Sequence, residues 1–281
     1  MNSERCIRYI LTAEAMISTA PAFCIFLVLL YLLMPLFSFD GLAKVLSWHW
    51  RPYEGQFGIL PMMIGSLMLS LGALALACPM AVGVSSLTVI IGNSLPSRII
   101  LAVIHYMTSI PTVIYGFVSV FMLVPLIRQW FDKGTGFSLL AAMLTLSVLI
   151  TPTIILVYRP RLEQIQTDVF VTAEALGIPR AAYVRKILIP LSKKGLVTAV
   201  ILGFGRAIGD TLVSLMLAGN APIVPNSVFD SFRSLTAHIG LVVATDSRST
   251  FYHSVFAAGL ILFLIMTGVN LIIRRLGGKS T

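Results

Sequence analysis

The sequence predicts an all-α integral membrane protein, a single transmembrane domain over residues 1–281 with six spans. Three observations predict it. The chain is 57% hydrophobic and only 11% charged, with a mean hydropathy of +0.94, and so carries too little charge to coat a soluble domain. Its apolar runs are long and continuous, without the period-2 alternation of a membrane barrel, so helices are the structure that satisfies the backbone in lipid. The polar segments between the runs carry most of the 20 Lys and Arg residues. That assigns the formal charge of +9 to topology rather than to nucleic acid.

In chain order, Met1–Ser18 reads as a short polar lead, followed by a first span from Ala20 to Phe39. The run is too long for a signal peptide and no small-residue cleavage site follows it. Asp40–Gly58 carries Trp48, His49, Trp50 and Tyr53, the aromatic composition of a membrane–water interface. A second span runs from Ile59 to Ile91, interrupted by Pro79, and GNSLPS turns the chain. The third runs from Arg98 to Ile127 with an interruption at Pro111, and the fourth from Phe137 to Tyr158 with Pro152 inside. The charged loop Arg159–Lys194 precedes a fifth span from Gly195 to Ala218, and a mixed loop leads to a sixth from Ser254 to Ile273.

Six spans place both termini on one side. That side, with the turn near Arg98 and the loop 159–194, holds 13 Lys and Arg against 6 on the other, leaving Arg206 within a span. The positive-inside rule puts the termini and the basic loop in the cytoplasm. Cys6, Cys24 and Cys78 are odd in number and imply no disulfide framework. His49, His105, His238 and His253 lack ligand spacing, so no metal site or cofactor is expected. The C-terminal Gly278-Lys279-Ser280-Thr281 is no nucleotide loop, because its required first glycine falls at Ile273 and no helix follows.

Within the basic loop, Thr167 is placed to cap a short helix Asp168–Leu176, and Gly177 to end it before Pro179. Val169, Phe170, Ala173 and Leu176 fall near one face, and a second helix is expected over Ala181–Ile189. Such a capped helix suits a groove on a partner or lies on the membrane surface; the pattern leaves both open.

The fifth span holds the costliest residues. Arg206 lies eleven residues beyond Gly195, roughly 15 Å into the span. Asp210 follows four residues later, hence on the same helix face one turn away. Gly205 and Gly209 give a small-xxx-small spacing that permits close helix approach. One reading is an intrahelical ion pair hidden in the bundle. The other is a guanidinium that binds a tetrahedral oxyanion bidentately, with Asp210 accepting a hydrogen bond from a protonated one and repelling sulfate. After Pro111, the segment from Thr112 would offer free backbone N–H groups to an anion; a packing kink accounts for the same proline.

The run AEALGIPRAAYVRKILIPLSKKG resembles the cytoplasmic "EAA" loop of binding-protein-dependent ABC importer permeases, with Gly177 followed by Ile187-Leu188-Ile189-Pro190. Aligned on Gly177, the family's Glu falls on Val171, and Glu174-Ala175-Leu176 sits three residues late. Trp50-Arg51-Pro52 with Phe57-Gly58-Ile59-Leu60-Pro61, Ser109 to Gly116 with Leu123-Val124-Pro125, and Gly203 to Thr211 with Gly219-Asn220 are similar to phosphate-specific permeases of the PstC type. Those usually have Glu where Asp210 stands. The resemblance implies the type I (MetI-like) permease fold in a bacterial inner membrane. It implies phosphate as cargo, with Arg206, Asp210 and Thr112 on the pathway. It also implies docking of an ATPase dimer through Ala173, Glu174, Ala175, Leu176 and Gly177, so that hydrolysis belongs to another chain. A second homologous permease subunit and an extracytoplasmic phosphate-binding protein complete the expected assembly. A permease for another oxyanion (sulfate, molybdate, phosphonate) would share the loop without needing Asp210. A membrane signalling or scaffold protein would need the docking helix but no buried arginine.

Overall fold

The structure, a computed structural model, describes residues 2–34, 45–131, 133–243 and 251–277. Residues 35–39 of the expected first span and the tail 278–281 lie outside the described residues. The helices are α1 (Asn2–Leu33), α2 (Leu60–Ile90), α3 (Leu95–Ser109), α4 (Thr112–Phe131) and α5 (Leu139–Ala175). They continue with α6 (Arg180–Leu191), α7 (Lys193–Ile208), α8 (Leu212–Leu217), α9 (Leu235–Val243) and α10 (Phe251–Gly277). Among the described residues, five helices are long and apolar enough to cross a membrane, or six where the bent pair α6–α7 is counted as one span.

The core lies between α2 and α5, the most extensive helix pair. On α2, Leu69, Ala73, Ala77 and Ala81 repeat every four residues and are all buried. The small side chains let α2 approach Leu146, Leu149 and Ile150 of α5 closely. This packing also explains why Pro79 and Pro152 do not interrupt their helices as the sequence suggested. Each costs one backbone hydrogen bond, but the surrounding contacts hold the helix in register. Pro111 does break the chain: Ile110 before it is extended (φ −75°, ψ 125°), as a residue preceding proline prefers. That junction is exposed, and no such packing overrides it.

Helix α1 begins near the N-terminus rather than after a polar lead, because Met1–Ser18 contains no helix breaker. It pairs with α10 at the edge of the bundle, Phe26 stacking on Phe263 at 5.4 Å. The aromatic segment folds as a small hairpin, β1 (Trp50–Arg51) against β2 (Gln56–Phe57), turned by Gly55 at φ 71°. Trp50 packs edge-on at 4.3 Å against His238 of α9, which is fully buried. Burial first, and then the Arg233 charge, push the His238 pKa down to about 3.

Candidate functional site

The expected fifth span is in two pieces. α7 stops at Ile208, Gly209 caps it, and the chain restarts as α8 at Leu212. Asp210 therefore lies past the end of α7, in the turn before α8, its N–H on the Ala207 carbonyl at 3.3 Å. Its carboxylate oxygen Oδ1 accepts the Val213 N–H at 2.8 Å and caps α8. Its carbonyl accepts from the Thr236 hydroxyl at 3.0 Å, while the Ser214 hydroxyl lies 3.0 Å from the Thr211 carbonyl and 3.3 Å from that of Asp210. No Arg206–Asp210 pair occurs among the ion pairs of the described residues. The helix ends here because Gly209 gives the backbone no packing side chain and Asp210 captures the Val213 N–H in a capping turn.

Arg206 is exposed on the surface of the chain rather than sealed in the bundle. Three glycines set this orientation. A Cβ at Gly203 would come within 2.8 Å of Ile154 on α5, whereas Gly205 and Gly209 face Met266 of α10. With those faces committed to α5 and α10, Arg206 turns outward between them. It lies within electrostatic reach of Asp210 and of Tyr115 on the first turn of α4. Tyr115 spans the proline break, its hydroxyl donating to the Met107 carbonyl at 2.8 Å. Gly116, next to it, packs directly on Met216 of α8. Thr112, half-buried, opens α4, and the first-turn N–H of Ile114 is already taken by the Pro111 carbonyl. The α3–α4 and α7–α8 breaks thus converge: α3 has 15 residues and α7 has 16, about 22 and 24 Å of helix from the basic ends.

The basic loop also differs from its sequence reading. α5 runs unbroken from its span to Ala175, so there is no separate helix Asp168–Leu176. The Thr167 hydroxyl donates back to the Glu163 carbonyl inside the helix instead of capping one. Gly177 does terminate it, at φ 69°. Its N–H donates to the Glu174 carbonyl at 2.9 Å and that of Ile178 to Ala173 at 3.0 Å, the paired bonds of a Schellman ending. The expected helix Ala181–Ile189 is α6, extended to Leu191 with a π-helical stretch at Val184–Leu188. Ala173 is buried, and beside it Phe170 packs edge-on against Tyr183 at 5.5 Å. Leu176 does not share that face: it and Val171 are each 72% exposed. Glu174, Ala175 and Gly177 are exposed with them, as are Arg180, Arg185 and Lys186 of α6.

Two features escaped sequence reasoning. Ser214, Ser234 and Thr236 form a buried hydroxyl chain ending on the Asp210 carbonyl, while the Leu235 N–H donates to Ser66 of α2. Only the serines scattered in apolar helices hinted at it. A cavity of about 810 Å³ opens between α2, α4 and α5 beside the Ile110–Pro111 break. Its walls are aliphatic apart from a few hydroxyls, among them Ser119 and Thr145, which bond each other at 2.8 Å. Arg206 does not line it, so it is not an oxyanion site. Among the described residues no His, Cys, Asp and Glu cluster could hold a metal.

The family model for the inner membrane component of binding-protein-dependent transport systems matches residues 81–280. The chain belongs to this family. The permease is 31% identical to a probable ABC transporter permease protein, YqgH, of Bacillus subtilis (strain 168), over 97% of this chain and 90% of that protein. It is 28% identical to the phosphate transport system permease protein PstC of Pasteurella multocida, over 85% and 81% of the two chains. For PstC of Haemophilus influenzae the values are 29%, 84% and 80%. Inward-facing structures of the MetNI methionine ABC transporter share its fold. One gives a TM-score of 0.60 at 18% identity, covering 81% of this chain and 99% of that one. A second gives 0.55 at 20%, covering 75% and 93%. The permease therefore has the MetI-like fold and is a transport subunit of an ABC importer. Its ATPase is a separate protein, and a substrate-binding protein is the other partner the family implies.

Proposed function

We propose that this permease forms half of a pathway for inorganic phosphate and that Arg206 is the residue the anion meets. The observation that carries the reading is the Arg206 guanidinium, exposed where two helices break and without an acidic partner within 4.0 Å among the described residues. A cation placed in a span is costly unless something uses it, and a planar fork of donors matches a tetrahedral oxyanion. Because Arg206 faces out of the single chain, the pathway lies between this subunit and a second, homologous permease. The relatives named as phosphate transport permeases support phosphate as the cargo.

Asp210 and Thr112 stand at the two converging breaks and complete the wall. The second carboxylate oxygen of Asp210, beyond the one that caps α8, accepts a hydrogen bond from a protonated phosphate and repels sulfate. Residues 174–177, with Ala173 buried behind them, dock the ATPase dimer, with both termini and the basic loop in the cytoplasm of a bacterial cell and a phosphate-binding protein on the opposite face. The experiment is phosphate uptake by the full complex in vesicles, wild type against Arg206→Gln. Assembly with uptake abolished is the expected result; wild-type uptake by the variant removes the reading. Sulfate or molybdate uptake by the wild type in place of phosphate selects the other-oxyanion reading.

A further inference from the structure

The chain changes direction by 72° at a single residue, Ser192, where α6 meets α7. Irregular backbone surrounds this corner. The π-helical stretch Val184–Leu188 precedes it, Pro190 lies two residues before it, and Pro160 interrupts the hydrogen bonding of α5 alongside. Each weakens the helix that carries it, and π-turns recur where helices must shift. A bend so built has little intrinsic stiffness. Something else must hold its angle.

Ser192 is 2% exposed and Tyr158 of α5 is 0% exposed, and their hydroxyls meet at 2.7 Å. Ser192 Oγ has one proton, and it donates that proton to the Ile189 carbonyl at 3.0 Å. Tyr158 is therefore the donor to Ser192, and the bonds run in one direction, from Tyr158 Oη to Ser192 Oγ to the Ile189 carbonyl. Such a chain polarises cooperatively in a dry environment and ties α5, the corner and the last turn of α6 at one point. The backbones also close up here: a Cβ on Gly195 would lie 2.9 Å from Cβ and Cγ of Arg161. A tight contact with a directional bond beside it fixes an angle, where aliphatic packing alone would let the helices slide.

We propose that Tyr158 and Ser192 are positioning residues for coupled transport. Their hydrogen bond pins the corner, so that displacement of the docking tip is delivered to α7, the helix that ends in Arg206. This rests on the reading of residues 174–177 as the ATPase contact. Without the pin, movement of α6 dissipates in its π-turn, and ATP is hydrolysed without moving α7.

The test uses the complete transport complex in vesicles with Tyr158→Phe, Ser192→Ala, the double variant and Ser192→Thr. Tyr158→Phe and Ser192→Ala each lower phosphate moved per ATP by about three- to tenfold, the span that one net buried hydrogen bond supplies. Hydrolysis and co-purification of the ATPase stay at wild-type level. The double variant is no worse than either single one, because both remove one bond, and Ser192→Thr, which keeps the hydroxyl, restores the ratio. A second readout does not depend on the cargo. Nitroxides at Ala181→Cys and Val197→Cys, both exposed and on opposite arms of the corner, are placed in a background with Cys6, Cys24 and Cys78 replaced by serine. They report one narrow distance in the parent and a broadened one in Tyr158→Phe. An unbroadened distance overturns the pin, as do wild-type phosphate-to-ATP ratios, additive losses in the double variant, or failure of both single variants to assemble. If the wild-type complex moves no phosphate, the proposed cargo fails and the distance measurement alone decides the pin. If the ATPase fails to co-purify with a Leu176→Ala permease while the nitroxide result is as expected, docking and pin are both upheld as separate features.

Discussion

Asp210 caps α8, and in the proposed pathway it also sorts anions; two substitutions divide the two roles. Val213, whose N–H the carboxylate holds at 2.8 Å, is fully buried, so that N–H has no water to turn to. α8 is six residues long, and losing its side-chain cap removes a large share of its local stability. Asp210→Ala strips the cap and is expected to cost about 1–2 kcal/mol. Asp210→Asn keeps an equivalent capping oxygen and is expected to cost close to nothing in stability. The bond from Thr236 goes to the Asp210 carbonyl, and that from Ser214 to the backbone of Asp210 and Thr211, so both survive either change. Thermal melting of the purified complex should rank wild type and Asp210→Asn together, with Asp210→Ala below them. Competition should separate the pair differently. Removing the charge in Asp210→Asn lets sulfate compete with phosphate about tenfold better, the worth of one charge-assisted contact. Equal melting losses for the two variants would refute the capping argument. Unchanged sulfate competition in Asp210→Asn would refute the charge argument and leave Asp210 a helix cap alone.

Leu176 is the largest exposed apolar side chain at the proposed docking tip, being 72% exposed. Covering it in a groove is worth about 1–2 kcal/mol, so Leu176→Ala should weaken ATPase binding roughly tenfold; titration of detergent-solubilised subunits checks it, and unchanged affinity would move the docking surface elsewhere. His238 predicts a pH effect on stability. Its folded pKa of about 3 lies below its ordinary value, so the unfolded chain binds the extra proton. The contribution is complete above about pH 6.5 and is lost as pH falls from there toward 3. Both ring nitrogens lack hydrogen-bond partners. His238→Phe, which preserves the ring against Trp50, should therefore raise the melting temperature more at pH 5 than at pH 8. Parallel curves for the two proteins would contradict the assignment.

Composition and the order of apolar runs were enough to establish a helical membrane protein, since lipid leaves an apolar chain few ways to satisfy its backbone. Local chemistry also wrote the ending at Gly177 and the break at Pro111, because each depends on one residue's allowed dihedral angles. The position of Arg206 stood out for a related reason: a charge in a span contrasts with its apolar neighbours. The relation of Arg206 to Asp210 did not. A four-residue spacing means one helical turn only while the helix continues, and whether it continued past Gly209 depended on Asp210 capping α8 and on the hydroxyls of α9. Likewise the pairing of Tyr158 with Ser192 crosses 34 positions, and no local pattern encodes which distant hydroxyl a buried tyrosine will meet. Residue order alone dictated what had to be helical and where the costly charge lay. Only the tertiary packing decided which prolines bend, which face Arg206 turns to and what holds the corner beneath it, because those outcomes depend on the neighbours that a helix acquires after the chain has folded.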